Sequence, residues 1–125
     1  MGKKVLIADD MAVNLDYLEH MLTKYEFKVI RAYDGVEAFE KVKQFLPDVI
    51  ILDNYMPRMT GKELTQILKS DPDYCNIPII MFSAFGEEDF EPGVDDYLSK
   101  PANYKDVMLR IKLVLKRQEI KEGKK

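Results

Sequence analysis

What the 125 residues lack already narrows the chemistry. Cys75 is the single cysteine and His20 the single histidine, so no disulfide can close within the chain and no thiolate and imidazole zinc cluster can be assembled. His20 reads as solvated surface, and Cys75 as a loop or partly buried thiol without a redox task. A reducing compartment, the cytoplasm, is expected. After Met1-Gly2-Lys3-Lys4 only four apolar residues precede Asp9-Asp10, too few for a signal peptide, and no apolar run approaches a membrane span. Neither sign of charge dominates: 19 basic residues stand against 22 acidic ones, a formal charge of -3. That balance argues against a dedicated nucleic-acid or anionic-membrane surface. There is no glycine-rich phosphate loop, EF-hand spacing, repeat or low-complexity block.

What is present is 46% hydrophobic content, enough for one domain over residues 1–125 with a real core. Val49-Ile50-Ile51-Leu52 is a run of branched aliphatics, the signature of a strand buried on both faces in a parallel sheet, and it drives straight into Asp53. A helix-cap role for Asp53 is disfavoured, because Pro57 follows and Thr60 with Glu63 makes a better capping box. Val5-Leu6-Ile7-Ala8 repeats the pattern and ends in Asp9-Asp10. Between these strands come a helix from Ala12 to Tyr25 with Leu15, Leu18, Leu22 and Tyr25 in register, and a mixed strand from Phe27 to Ala32. A second helix follows Asp34-Gly35, carries Ala38, Phe39, Val42, Phe45 and Leu46, and stops at Pro47.

Beyond the central strand, Thr60 caps a helix with Leu64, Ile67 and Leu68 inward. Ile77 to Phe82 forms a fourth strand ending at Ser83, and Asp96 to Ser99 a fifth leading to Lys100-Pro101. Asn103 opens the last helix, with Tyr104, Val107, Met108, Ile111 and Leu115 on one face. Residues 118–125 read as a disordered lysine-rich tail beyond a core of about 3–117. The stretch from Gly86 to Asp96 is acidic and broken by Pro92-Gly93, so no regular helix is predicted there.

Alternating strands and helices predict an α/β doubly wound sheet whose strand carboxyl ends share one edge, where ligands bind in such sheets. Asp9, Asp10, Asp53, Ser83 and Lys100 meet at that edge. Three crowded carboxylates repel one another unless a hard cation neutralises them, and Mg2+ with oxygen ligands is the natural choice. One carboxylate can then attack a phosphoryl group, with Lys100 and the Ser83 hydroxyl placed to bind its oxygens.

Ala8-Asp9-Asp10, Leu52-Asp53 with Met56-Pro57 and Gly61, Ser83-Ala84, Asp95-Asp96-Tyr97 and Lys100-Pro101, in this order and register, resemble the receiver domain of two-component response regulators, the CheY family. The resemblance runs from Lys3 to about Arg117. It implies a flavodoxin-like sheet of order 2-1-3-4-5, the strand order for which CheY is a standard example. It further implies Asp53 as phosphoacceptor, Asp10 as a direct Mg2+ ligand, Asp9 as a ligand through water, and the Tyr55 carbonyl as a backbone ligand. Ser83 and Lys100 would bind the phosphoryl group, Ser83 and Tyr97 would act as the switch, and Lys100-Pro101 would be cis. The implied partner is a sensor histidine kinase or a histidine phosphotransfer protein, with a downstream protein partner beyond it and no nucleic-acid or membrane contact.

The sequence departs from that family in three places. Ser83 to Lys100 spans 17 positions, about four to five residues short, which predicts that the helix between the fourth and fifth strands is shortened or missing. Tyr55 and Phe85 stand two residues after Asp53 and Ser83, where side chains flank the path of hydrolytic water, and predict slow loss of the phosphoryl group. Two other classes of function compete. A pseudo-receiver would use the fold only for binding, against which the full acid set and Lys100 speak. A phosphatase of the haloacid dehalogenase type needs a second acid where Tyr55 stands.

Overall fold

The computed structural model describes residues 2–83 and 90–123. Five strands, β1 (Lys4–Ala8), β2 (Lys28–Ala32), β3 (Val49–Leu52), β4 (Ile79–Ser83) and β5 (Asp96–Ser99), form one parallel sheet in the order β2-β1-β3-β4-β5. The helices are α1 (Ala12–Lys24), α2 (Gly35–Phe45), α3 (Gly61–Lys69) and α4 (Tyr104–Lys121).

Strand alternation divides the core in two. Val5, Ile7, Val49, Ile51, Ile80, Phe82 and Leu98 face one way and pack with Leu15, Leu18 and Leu22 of α1 and Val107, Ile111 and Val114 of α4. Leu6, Ala8, Ile50, Leu52, Ile79 and Met81 face the other way, against Ala38 and Val42 of α2 and Leu64 and Leu68 of α3. A helix layer on each face is why β1, β3 and β4 read as unbroken apolar runs. Each fully buried leucine or isoleucine contributes about 1.5–3 kcal/mol, so the interior positions fix the sheet.

Helix starts follow the expected chemistry. Asp34 accepts from Glu37 N at 2.8 Å, Asn103 Oδ1 accepts from Asp106 N at 2.9 Å, and Thr60 with Glu63 forms a reciprocal capping box. The Glu37 amide, and after it the Arg58 guanidinium, holds the Asp34 carboxyl below the usual carboxylate range.

Several helix-face assignments differ from the sequence reading. Tyr25 caps α1 and is exposed, while Met21 takes the buried position. Leu46 lies outside α2 in the left-handed region at φ 48°, exposed beyond the helix end. On α3 Thr65 joins Leu64 and Leu68 as a fully buried residue, its hydroxyl donating to Gly61 O at 2.8 Å, and Ile67 faces out. The tail expectation is corrected as well. Residues 118–121 continue α4, where Glu122 N donates to Gln118 O and the Gln118 amide reaches Glu122 Oε2, both at 3.0 Å.

Between β4 and β5 no helix occurs among the described residues; the predicted irregular segment lies partly outside them, since residues 84–89, Phe85 included, are not described. The part that is described lies on α3. Gln66 Nε2 donates to Glu91 Oε2 at 3.1 Å, and Gly93, at φ 102°, sits against Thr65 and Lys69. Lys69 Nζ donates to Cys75 O, Ile77 O and Asp95 Oδ2 at 3.0–3.2 Å, tying the end of α3 to the entry of β5.

Candidate functional site

The site grows out of the carboxyl ends of β1, β3, β4 and β5. Asp9 and Asp53 follow neighbouring strands directly, and Asp53 N donates to Ala8 O at 2.9 Å, so the strand pairing itself sets the two carboxylates side by side. Asp9 and Asp53 are buried and Asp10 is exposed. One carboxylate oxygen from each lies within 4.8 Å of the others.

Lys100, carried past β5, reaches back into this cluster. Its Nζ stands 2.7 Å from Asp9 Oδ2 and 3.3 Å from Asp53 Oδ2, and 5.3 Å from the centre of the Phe82 ring. Burial is the first cause that pushes the Asp53 carboxyl above its usual range; the Lys100 charge opposes the rise and the Asp9 charge adds to it. Two buried acids against one ammonium leave an excess of negative charge, and Asp10 increases it. An all-oxygen donor set of this kind suits a hard divalent cation such as Mg2+.

The loop after Asp53 is built to hold it in place. Asn54 is buried, its Oδ1 accepts from Lys62 N at 3.0 Å, and its carbonyl accepts from Gly61 N at 3.0 Å, which clamps the start of α3 to the end of β3. Gly61 permits that approach, because a Cβ there would stand 2.5 Å from Leu52 Cδ1 and 2.6 Å from the Asp53 carbonyl oxygen. Tyr55 N donates to Asp53 Oδ1 at 3.3 Å, whereas the Tyr55 side chain is half exposed.

The remaining sequence-predicted residues occupy the same edge or lead away from it. Ser83 is buried at the end of β4 and pairs in register with Ser99 of β5. Lys100-Pro101 is cis. Tyr97 points its hydroxyl at Glu91, accepting from Glu91 N at 2.8 Å and donating to Glu91 O at 3.1 Å, and its ring stacks on Phe90 at 6.0 Å.

Asn14 was not singled out by sequence reasoning, and neither was Asn54. Asn14 Nδ2 donates to Asp9 Oδ2 at 3.0 Å. Its signal in the sequence is only its place five residues after Asp9, in the first turn of α1, which no period or motif distinguishes from a surface asparagine. Next to it, Val13, Asn14, Tyr17, Phe82, Lys100, Pro101 and Ala102 line a groove of about 500 Å³, which the Tyr17 hydroxyl bridges by donating to Ala102 O at 2.8 Å.

Comparison with known proteins agrees with this geometry. The family model described as the response regulator receiver domain matches residues 5–112. The chain is 36% identical to the alkaline phosphatase synthesis transcriptional regulatory protein PhoP of Bacillus subtilis, over 96% of this chain and 51% of that protein. It is 40% identical to the probable transcriptional regulator ycf27 of Guillardia theta, over 92% of this chain and 46% of that protein. It therefore spans about half the length of these relatives. Among solved structures, a response regulator from Chloroflexus aurantiacus superposes with a TM-score of 0.87 at 32% identity, covering 92% of this chain and 98% of that one. The chemotaxis response regulator CheY4 of Vibrio cholerae gives a TM-score of 0.84 at 28% identity, covering 91% and 99%. With a matched receiver model over most of its length, relatives of the same kind and an acid cluster at the carboxyl edge of a 2-1-3-4-5 sheet, the chain belongs to the response regulator receiver family of two-component signalling.

Proposed function

We propose that Asp53 accepts a phosphoryl group from a phosphohistidine of a sensor histidine kinase or a histidine phosphotransfer protein. An Asp53 carboxylate oxygen attacks phosphorus, the P–N bond breaks, and the electron pair leaves with the imidazole. The observation that carries this reading is the position of Lys100 Nζ, 3.3 Å from Asp53 Oδ2 within the acid cluster, where it can follow the phosphoryl oxygens once they arrive. Asp10, Asp53 and the Tyr55 carbonyl would hold Mg2+ directly, and Asp9 through water. When bound, the ion supplies charge neutralisation between the acids and the phosphoryl oxygens.

The protein's own groups do the rest. Lys100 stabilises charge on the transferring group, the Ser83 hydroxyl donates to it, and the burial of Asp53 limits access of water. The half-exposed Tyr55 shields the acyl phosphate only by folding over it. Output runs through Ser83 and Tyr97 to the segment at Glu91, which Tyr97 holds by both its backbone groups. The chain acts as a signalling receiver that catalyses only its own phosphorylation and dephosphorylation. No described helix is long and apolar enough to cross a membrane.

The test is incubation with Mg2+ and acetyl phosphate followed by intact mass measurement. One added phosphoryl group, absent in Asp53→Asn and in excess chelator, is expected. Equal labelling of Asp53→Asn would overturn the assignment of the acceptor.

A further inference from the structure

We infer that Asn14 is a positioning residue for the acid cluster: it fixes the Asp9 carboxylate so that Asp9 can serve a cation while Lys100 turns to Asp53. This rests on the reading of Asp53 as a Mg2+-dependent phosphoacceptor.

Both Asp9 oxygens are engaged. Oδ1 accepts from Met11 N at 2.9 Å, the amide that leads into α1, and Oδ2 accepts from Asn14 Nδ2 at 3.0 Å and from Lys100 Nζ at 2.7 Å. Asp9 is 2% exposed, so water does not substitute freely for a lost donor. The backbone of Asn14 is itself anchored, its N–H donating to Met11 O at 3.1 Å in the first turn of α1.

Lys100 has two claims on it, the nearer to Asp9 and the longer, at 3.3 Å, to Asp53. Once a cation takes over the neutralisation of the acids, or phosphoryl oxygens on Asp53 draw the ammonium away, Asp9 Oδ2 loses its cationic donor and Asn14 is the donor that stays. The carboxylate then keeps its rotamer and its charge toward the cation instead of swinging to recover Lys100. Carboxylates that serve metals are oriented by such partners, whose loss costs about 10–100-fold in affinity.

The experiment uses the full chain and Mg2+ alone, with binding measured by calorimetry, and acetyl phosphate labelling of Asp53 as a second readout. In Asn14→Leu, which keeps the volume, and Asn14→Ala, a strong helix former, the Mg2+ dissociation constant should rise at least tenfold. Labelling at saturating Mg2+ should stay within about threefold of wild type. Thermal unfolding identifies which variant is folded. In a cycle with Asp9→Asn, Asn14→Leu should add less than a twofold further loss of Mg2+ affinity, since its effect passes through Asp9. A dissociation constant within twofold of wild type in the folded variants, or losses that multiply in the cycle, overturns the positioning role. A wild-type chain that neither binds Mg2+ nor labels overturns the phosphoacceptor reading on which it rests.

Discussion

Replacing Lys100 with methionine removes the ammonium and keeps the stem, so it isolates what the charge does at the carboxyl edge. The side chains involved are 17% exposed for Lys100, 2% for Asp9 and 9% for Asp53, which places them in the buried regime. By contrast the Arg58–Asp34 pair, with Arg58 61% exposed, belongs to the surface kind that contributes at most about 1 kcal/mol. Removing one member of a buried pair leaves an uncompensated charge and costs about 3–5 kcal/mol. Taking about 3 kcal/mol, because Asn14 and the Met11 amide still hold Asp9, a domain of this size should lose roughly 10 °C in Tm in chelator. Mg2+ should return most of it. A cation at 100 times its Kd stabilises by about 2.7 kcal/mol, and the variant should bind it more tightly than wild type, since Lys100 no longer competes for Asp9 Oδ2. Differential scanning calorimetry of both proteins, each in chelator and in Mg2+, gives the four values. Equal Tm in chelator would show that Lys100 does not compensate the acids, and an equal Mg2+ increment in both proteins would show that lysine and cation do not share them.

In metal-free Asp53→Asn, stability should exceed wild type at neutral pH. The folded state holds the Asp53 proton to higher pH than the unfolded chain does, so wild-type stability falls as pH rises from the ordinary carboxylate range through the raised value; chemical denaturation across that window should show the gap open and then stay constant. No opening of the gap would refute the effect of burial on this group. Gly61→Ala should cost about 1–3 kcal/mol in urea unfolding, because the added methyl meets the Asp53 carbonyl and Leu52, and an unchanged midpoint would contradict the close approach of α3. Tyr97→Phe removes both hydrogen bonds to Glu91, so amide exchange at Glu91 should accelerate while β4 stays protected; unchanged exchange would mean that Tyr97 does not hold this segment.

Sequence alone determined where chemistry had to lie, because a run such as Val49 to Leu52 can be satisfied only in a sheet covered on both faces, and the first carboxylate after it must emerge at the strand's end. The same logic made Asp9 and Asp10 legible, and the capping box at Thr60 with Glu63 marked the next helix before its neighbours were known. Strand order came from resemblance, not from periodicity, since pairing is a long-range property to which a local pattern is blind. Tertiary structure alone decided which of several equivalent positions is buried. Thr65 and Ile67 are both candidates for the inner face of α3, and the Gly61 carbonyl within reach of the Thr65 hydroxyl makes the polar residue the one that fits. It also carried α4 through Lys121, past the point where charge density suggested a tail. Asn14 and Asn54 stayed invisible for a related reason. An asparagine acts through hydrogen bonds to groups distant in sequence, and only the folded chain shows that Asn14 donates to Asp9 and that Asn54 receives the Lys62 amide, fixing the start of α3 behind Asp53.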